Sequence, residues 1–430
     1  MPKNSVVDDA PTGGTARTTP PRSLWLLGPA LVAGVAYLDP GNVASNMTAG
    51  AQYGYLLVWV VVAGNVMAWL IQYLSAKLGV VTGQSLPEVL GARLTRPWAR
   101  RAYWLQAELV AMATDLAEVI GGAVALYLLF DIPLLLGGVI TGAVSMILLA
   151  VQSRRGARPF EFVIIGLMLI ITVGFVAGLF VAPPDPAGVV GGLVPRFEDT
   201  GSVLLAASIL GATIMPHAIY AHSSLTRDRF GSAAAHAPTE AARTETSRIR
   251  RLLTATRWDV SIAMLIAGTV NLGILLLAAA NLAGVEGTDS LEGAHAALAA
   301  GLGPVVATFF AVGLLASGLA STSVGAYAGA AIMGGLLHVK VPLLARRVVT
   351  LIPALAILAI GVDPTTALVI SQVVLSLGIP FALVPLIRLT GDRRVMGDHV
   401  DRPLTRIAAW VAVSLVVVLN VALVVLTVTG

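Results

Sequence analysis

The sequence predicts an all-α polytopic membrane protein of eleven transmembrane helices, built as two inverted five-helix repeats (5+5) with broken helices 1 and 6 and one further helix. Three observations lead there. Of 430 residues, 57% are hydrophobic and only 12% charged, against about a quarter charged in a soluble chain. Proline-bearing interruptions recur in the first and sixth apolar stretches, at Asp39-Pro40-Gly41-Asn42 and Met215-Pro216-His217. When successive loops are assigned to alternate sides of a membrane, all 27 Lys and Arg except Arg196 fall on one side.

Residues 1–22 are rich in Pro, Thr and Gly and lack an apolar h-region, so they read as a disordered cytoplasmic tail, not a cleavable signal. At roughly 20 apolar residues per crossing, spans fall at about 24–50, 55–76, 102–130, 133–152, 160–182, 201–226, 258–284, 303–337, 343–361, 365–391 and 404–428. Residues 286–302 leave room for a surface helix between spans seven and eight. The ten-helix core would occupy 23–400, with repeats of about 23–182 and 201–391, and 401–430 would carry the eleventh span. The segregation of basic residues makes the N-terminus cytoplasmic and, with eleven spans, the C-terminus extracellular. The run from Arg243 to Arg257 is then a cytoplasmic topology anchor; without interleaved aromatics it does not suggest nucleic-acid binding.

The two interruptions focus the chemistry. Proline removes a backbone donor and glycine adds freedom, so the first span is expected to unwind between Leu38 and Asn42. Irregular backbone at membrane depth is tolerated only inside protein or along a polar cavity, and an intramembrane carboxylate marks a functional site by default. Broken helices at matching positions of two inverted repeats place that site between them, near the bilayer midplane. Asp39 offers an anionic oxygen, Asn42 an amide oxygen, the segments near Ala36 and Ala212 backbone carbonyls, and Met215 a thioether. Oxygen alone suits Mg²⁺ or Ca²⁺, while sulfur adds attraction for softer ions such as Mn²⁺, Fe²⁺, Co²⁺ or Cd²⁺. Each residue has a plainer reading: Asp39 as a helix N-cap, Met215 as core, His217 as a satisfied buried histidine. The chain contains no cysteine, which excludes disulfides, thiolate metal sites and cysteine nucleophiles.

Span three supplies the other intramembrane acids, Glu108, Asp115 and Glu118, the last two spaced three apart on one helical face. Arg346 and Arg347 at the start of span nine are their expected partners. A line of acids leading to an arginine pair suits a proton relay, and a static ion pair is the alternative.

The two motifs resemble the signatures of the Nramp family (natural resistance-associated macrophage proteins), proton-coupled divalent metal transporters with a leucine-transporter-like fold. Both match in full, and the likeness extends over all eleven spans. It implies side-chain metal ligands at Asp39, Asn42 and Met215, with carbonyls lent by Ala36 and Ala212 in different states. Gln372 is similar to the glutamine that approaches the metal when the site is occluded; helix-to-helix hydrogen bonding is its plainer reading. The methionine, replaced in Mg²⁺-selective relatives, favours Mn²⁺ and Fe²⁺. The resemblance also implies proton uptake at Asp39 and proton movement toward the cytoplasm through Asp115 and Glu118, with His217, Arg346 and Arg347 assigned to the same pathway. His222 is expected to line the same vestibule, and the glycines of span eight, Gly325 and Gly329 among them, to serve close helix packing.

The expected function is therefore proton-coupled import of Mn²⁺ and Fe²⁺, with Cd²⁺ and Co²⁺, across a bacterial plasma membrane. No permanently bound cofactor, nucleic acid or obligate protein partner is implied; metal ion and proton are cargo, and the lipid bilayer is the setting. A proton- or sodium-coupled amino-acid symporter of the same fold is the alternative, disfavoured because Asp39 would repel a substrate carboxylate. An intramembrane hydrolase fits least, since there is no H-E-x-x-H motif and no cysteine.

Overall fold

A computed structural model of the chain describes residues 28–155, 157–230, 239–339 and 341–429. The tail expected over residues 1–22, and Lys340, lie outside the described residues. Among the described residues all regular structure is helical.

The first expected span is split into α1 (Pro29–Ala36) and α2 (Pro40–Tyr53), followed by α3 (Val58–Thr82). A short α4 (Leu86–Arg93) leads into α5 (Pro97–Phe130), and α6 (Leu134–Arg155) and α7 (Ala157–Val181) complete the first half. A single-turn α8 (Pro186–Gly191) precedes the second broken pair, α9 (Thr200–Thr213) and α10 (Pro216–Phe230). Then come α11 (Thr239–Asn281), α12 (Leu291–Leu302), α13 (Pro304–Leu337), α14 (Leu343–Ile360) and α15 (Pro364–Thr390). The turn α16 (Arg393–Met396) and the long α17 (Pro403–Thr429) close the chain.

Nine helices among the described residues are long and apolar enough to cross a membrane, with α9 and α10 taken together. The first expected span is the broken pair α1 and α2, and the fourth is α6, whose apolar stretch Leu134–Ala150 is shorter. Large apolar side chains cover the outside, Val66, Leu169 and Leu265 being 64%, 64% and 71% exposed, which suits contact with acyl chains and not with water. A continuous buried core runs between the helices, from Val35 and Leu38 through Ile120 and Met215 to Leu375.

Two local features differ from expectation. The first break spans Tyr37 to Asp39, and α2 resumes at Pro40; proline at the first helical position is pre-organised and sacrifices no bond, so it starts the second half instead of lying inside the unwound turn. The basic run Arg243–Arg257 belongs to α11 and not to a loop, because no proline or glycine interrupts it and its five arginines and two leucines are good helix formers. The surface helix allowed for at 286–302 is present as α12. Outside the spans, Asp199 caps α9 by accepting from Ser202 N at 2.8 Å and Tyr53 OH at 2.7 Å, bonds that hold its carboxyl below the usual aspartate range.

Candidate functional site

Both breaks follow one backbone logic. An α-helical carbonyl is taken by the N–H four residues later; four residues after Ala36 comes Pro40, and four after Ala212 comes Pro216. Proline has no N–H, so the two carbonyls named from sequence are those its placement leaves without an intrahelical donor. The Ala212 oxygen accepts from Asn42 Nδ2 at 3.0 Å. The same amide nitrogen donates to the Tyr37 carbonyl at 2.7 Å, so Asn42 links the two unwound segments directly.

Asp39 is fully buried. Its Oδ1 accepts from Asn42 N at 2.8 Å, which makes it the N-cap of α2. Its Oδ2 accepts from Gln372 Nε2 at 3.3 Å. Capping therefore occupies one oxygen and leaves the other turned to α15. Gln372 lies against both breaks: a Cβ on Gly41 would meet its Nε2 at 1.8 Å, and one on Gly211 its carbonyl oxygen at 1.9 Å. Met215 lies in the second break, wholly buried. Gln372 Oε1 and Thr213 Oγ1 are buried without a hydrogen-bond partner, an unusual condition for polar atoms.

The arrangement gathers one carboxylate, two amides, a thioether and two released carbonyls. Among the described residues no group of three or more His, Asp or Glu is close enough to hold a metal. A divalent ion here would keep net positive charge, favouring release over permanent retention.

The second assembly lies along α5. Arg346 Nη2 meets Glu108 Oε1 at 2.7 Å, and its Nη1 lies 3.6 Å from Asp115 Oδ2. Arg347 Nη1 meets Asp115 Oδ1 at 2.9 Å and Glu118 Oε2 at 3.4 Å. Arg347 also donates to Ser145 at 3.1 Å and Thr322 at 3.3 Å. Three carboxylates thus face two guanidiniums, and one proton taken up balances the cluster. His217 connects this string to the second break: its Nδ1 is 3.1 Å from Thr114 Oγ1, beside Asp115, while its Nε2 has no hydrogen-bond partner.

Not every expected neighbour joins the site. His222 of α10 pairs with Gln72 Oε1 at 2.7 Å, and Gln72 in turn donates to the Tyr37 hydroxyl, so these bonds link α10 and α3 to the first break through Tyr37 and do not reach Asp39 directly. Gly325 and Gly329 are more than packing positions, because an added Cβ would lie 2.9 Å from Glu118 Oε1 at the first and 1.9 Å from Arg346 Cζ at the second. They clear space for the ionic cluster. Two further residues carry no motif. Asp259 of α11 accepts from Gly28 N at 3.1 Å and Ala30 N at 2.9 Å, capping α1 from another span, and Asn271 donates to the Tyr37 carbonyl at 3.0 Å.

Apolar helices packed around a polar centre where two broken helices face each other form the architecture that secondary transporters use to hold cargo near the bilayer midplane. The solved structure of MhsT matches this fold with a TM-score of 0.57 at 15% identity, over 93% of this chain and 97% of that one. The description "Natural resistance-associated macrophage protein-like" matches residues 30–426, and the chain belongs to that family. It is 60% identical over 414 residues to the divalent metal cation transporter MntH of Mycobacterium tuberculosis, covering 96% of this chain and 94% of the relative. A crystal structure of the Eremococcus coleocola manganese transporter, bound to an aromatic bis-isothiourea compound, superposes with a TM-score of 0.81 at 32% identity, over 94% and 88% of the two chains.

Proposed function

We propose that this chain imports divalent transition metal ions, Mn²⁺ and Fe²⁺ foremost and Cd²⁺ and Co²⁺ as well, together with protons, by alternating access across the bacterial plasma membrane. Eleven spans, with the N-terminus inside and the C-terminus outside, complete the reading. The observation that carries it is the junction at the breaks, where Asn42 spans from the Tyr37 carbonyl to that of Ala212 and Asp39 turns one oxygen toward Gln372. Relatives named as divalent metal cation and manganese transporters support the cargo. Asp39, Asn42 and Met215 serve as side-chain ligands, with the Ala36 or Ala212 carbonyl and Gln372 completing the shell as the site opens or occludes.

Proton movement uses Asp39, His217, Asp115 and Glu118, with Arg346 and Arg347 holding the acids in line. The unequal count of acids and arginines supports this role, since protonation balances the cluster instead of breaking a matched pair. Purified protein in liposomes loaded with a metal-sensitive and a pH-sensitive dye tests both halves together. Mn²⁺ uptake that acidifies the lumen, with Mg²⁺ and Ca²⁺ failing to compete, is the expected result. Uptake of an amino acid without metal dependence would overturn it.

A further inference from the structure

We propose that the groove between α3 and α11, walled by Trp69, Tyr73, Thr254, Arg257, Trp258 and Ser261, binds the phosphate headgroup of an anionic phospholipid. Its volume is about 420 Å³, ample for a phosphodiester and the glycerol behind it.

Its walls are held in place. Trp69 Nε1 donates to Ser261 Oγ at 2.9 Å, and Ser261 Oγ donates to the Arg257 carbonyl at 2.8 Å. The rings of Trp69 and Tyr73 stack at 6.3 Å with 12° between their planes. Over the other part of this platform lies Arg257, its guanidinium carbon 5.7 Å from the Trp69 ring. Stacking engages the face of a guanidinium and leaves its N–H edge for a planar or tetrahedral anion. Among the described residues no carboxylate pairs with Arg257.

The groove also sits where the surface changes character. On α11 the exposed side chains just before it are Ser247, Arg250 and Arg251, and the next ones after it are Ile262 and Leu265. On α3 the exposed Val62 and Val66 lie on one side of Trp69, while Lys77, beyond Tyr73 on the other, is buried in an ion pair with Asp401. The change from exposed arginines to exposed apolar side chains along α11 therefore places a water-to-hydrocarbon boundary across this site, at the depth of headgroups. Apolar Trp258, Ile262 and Leu265 continue from its mouth as a surface for acyl chains, which a free phosphate would not use. In the orientation proposed above, this is the inner leaflet.

Native mass spectrometry of the full chain in detergent, titrated separately with phosphatidylglycerol and phosphatidylcholine of the same acyl chains, tests the assignment. The first phosphatidylglycerol should bind roughly tenfold more tightly than phosphatidylcholine, the value of about one charge-assisted contact. Arg257→Gln should remove that preference, Arg257→Lys should keep part of it, and Arg251→Gln should leave it intact. Because Arg257 is exposed, the variants should retain metal uptake, which serves as the folding control. Equal affinity for the two lipids, a preference that survives Arg257→Gln, or full displacement of the lipid by millimolar inorganic phosphate would each overturn the proposal; the last would mark a simple anion site.

Discussion

Replacing Asp115 by Asn separates a relay acid from a structural one, and the geometry fixes how large each effect should be. The substitution removes a carboxylate 2.9 Å from Arg347 and 3.6 Å from Arg346. Arg346 nevertheless keeps Glu108 at 2.7 Å, and Arg347 keeps Glu118 at 3.4 Å. No guanidinium is orphaned, and a repulsion between neighbouring acids is relieved. The expected loss of stability is therefore about 1.5–2 kcal/mol, the lower part of the range for a hydrogen bond to a charged group. Arg347→Met is the contrasting case. It leaves Asp115 and Glu118 buried side by side without their shared cation, and should cost about 3–5 kcal/mol. Thermal melts in detergent rank the two variants; paired recordings of metal uptake and lumenal pH in liposomes, normalised to folded protein, read the coupling. Asp115→Asn should bind metal nearly as well as wild type, since it touches neither break, yet admit fewer protons per metal and respond less to pH. A wild-type proton-to-metal ratio and pH profile would defeat the relay role. A destabilisation as large as that of Arg347→Met would defeat the charge count behind it.

Other substitutions probe the site from different sides. Asp39→Ala should abolish metal binding by calorimetry as well as uptake, because neutral donors alone do not offset dehydration of a divalent ion; retained Mn²⁺ uptake would remove Asp39 from the site. Met215→Ala should keep reduced Mn²⁺ uptake while admitting Ca²⁺ or Mg²⁺ better, and competition of Cd²⁺ uptake by excess Ca²⁺ reads this directly. Gly329→Ala forces a Cβ to within 1.9 Å of Arg346 Cζ, so the guanidinium must leave Glu108; a loss of about 1–3 kcal/mol is expected from such overpacking. An unchanged melting temperature in that variant would show that Arg346 has another place to go.

What could be read in advance, and what could not, follows from how far each feature reaches along the chain. Asp39, Met215 and the two prolines stand out because polar and helix-breaking residues are rare in a span, and the carbonyls of Ala36 and Ala212 follow from counting four residues back. The i, i+3 spacing of Asp115 and Glu118 likewise placed them on one face. The bridge from Asn42 to Ala212 depends on how two distant helices dock, which no local pattern encodes. Gly325 and Gly329 were legible as small residues but not as clearance for Arg346 and the acids, because a glycine carries no trace of the side chain it admits. Asp259 looked like an ordinary acid at the edge of a span, since its partner lies 231 positions away. The start of α4 is different: Ser85 and Glu88 have capping-box spacing, a signal wholly local to the sequence.

The contacts along α11 have a mechanical consequence. Asp259 holds the first amides of α1, Asn271 holds the Tyr37 carbonyl at its end, and Gly50 of α2 comes so close that a Cβ would lie 2.5 Å from the Leu275 carbonyl. One helix is thus the splint for both halves of the broken span, but the bindings differ in kind. The α1 end is tied by hydrogen bonds that can be exchanged for water one at a time and by packing of Gly34 on the Ala263 side chain, while α2 is seated by backbone contact that must part all at once. The splint can loosen at one end without lifting at the other, and exchange of the Gly28 and Ala30 amides with deuterated solvent would be the earliest sign that it has done so.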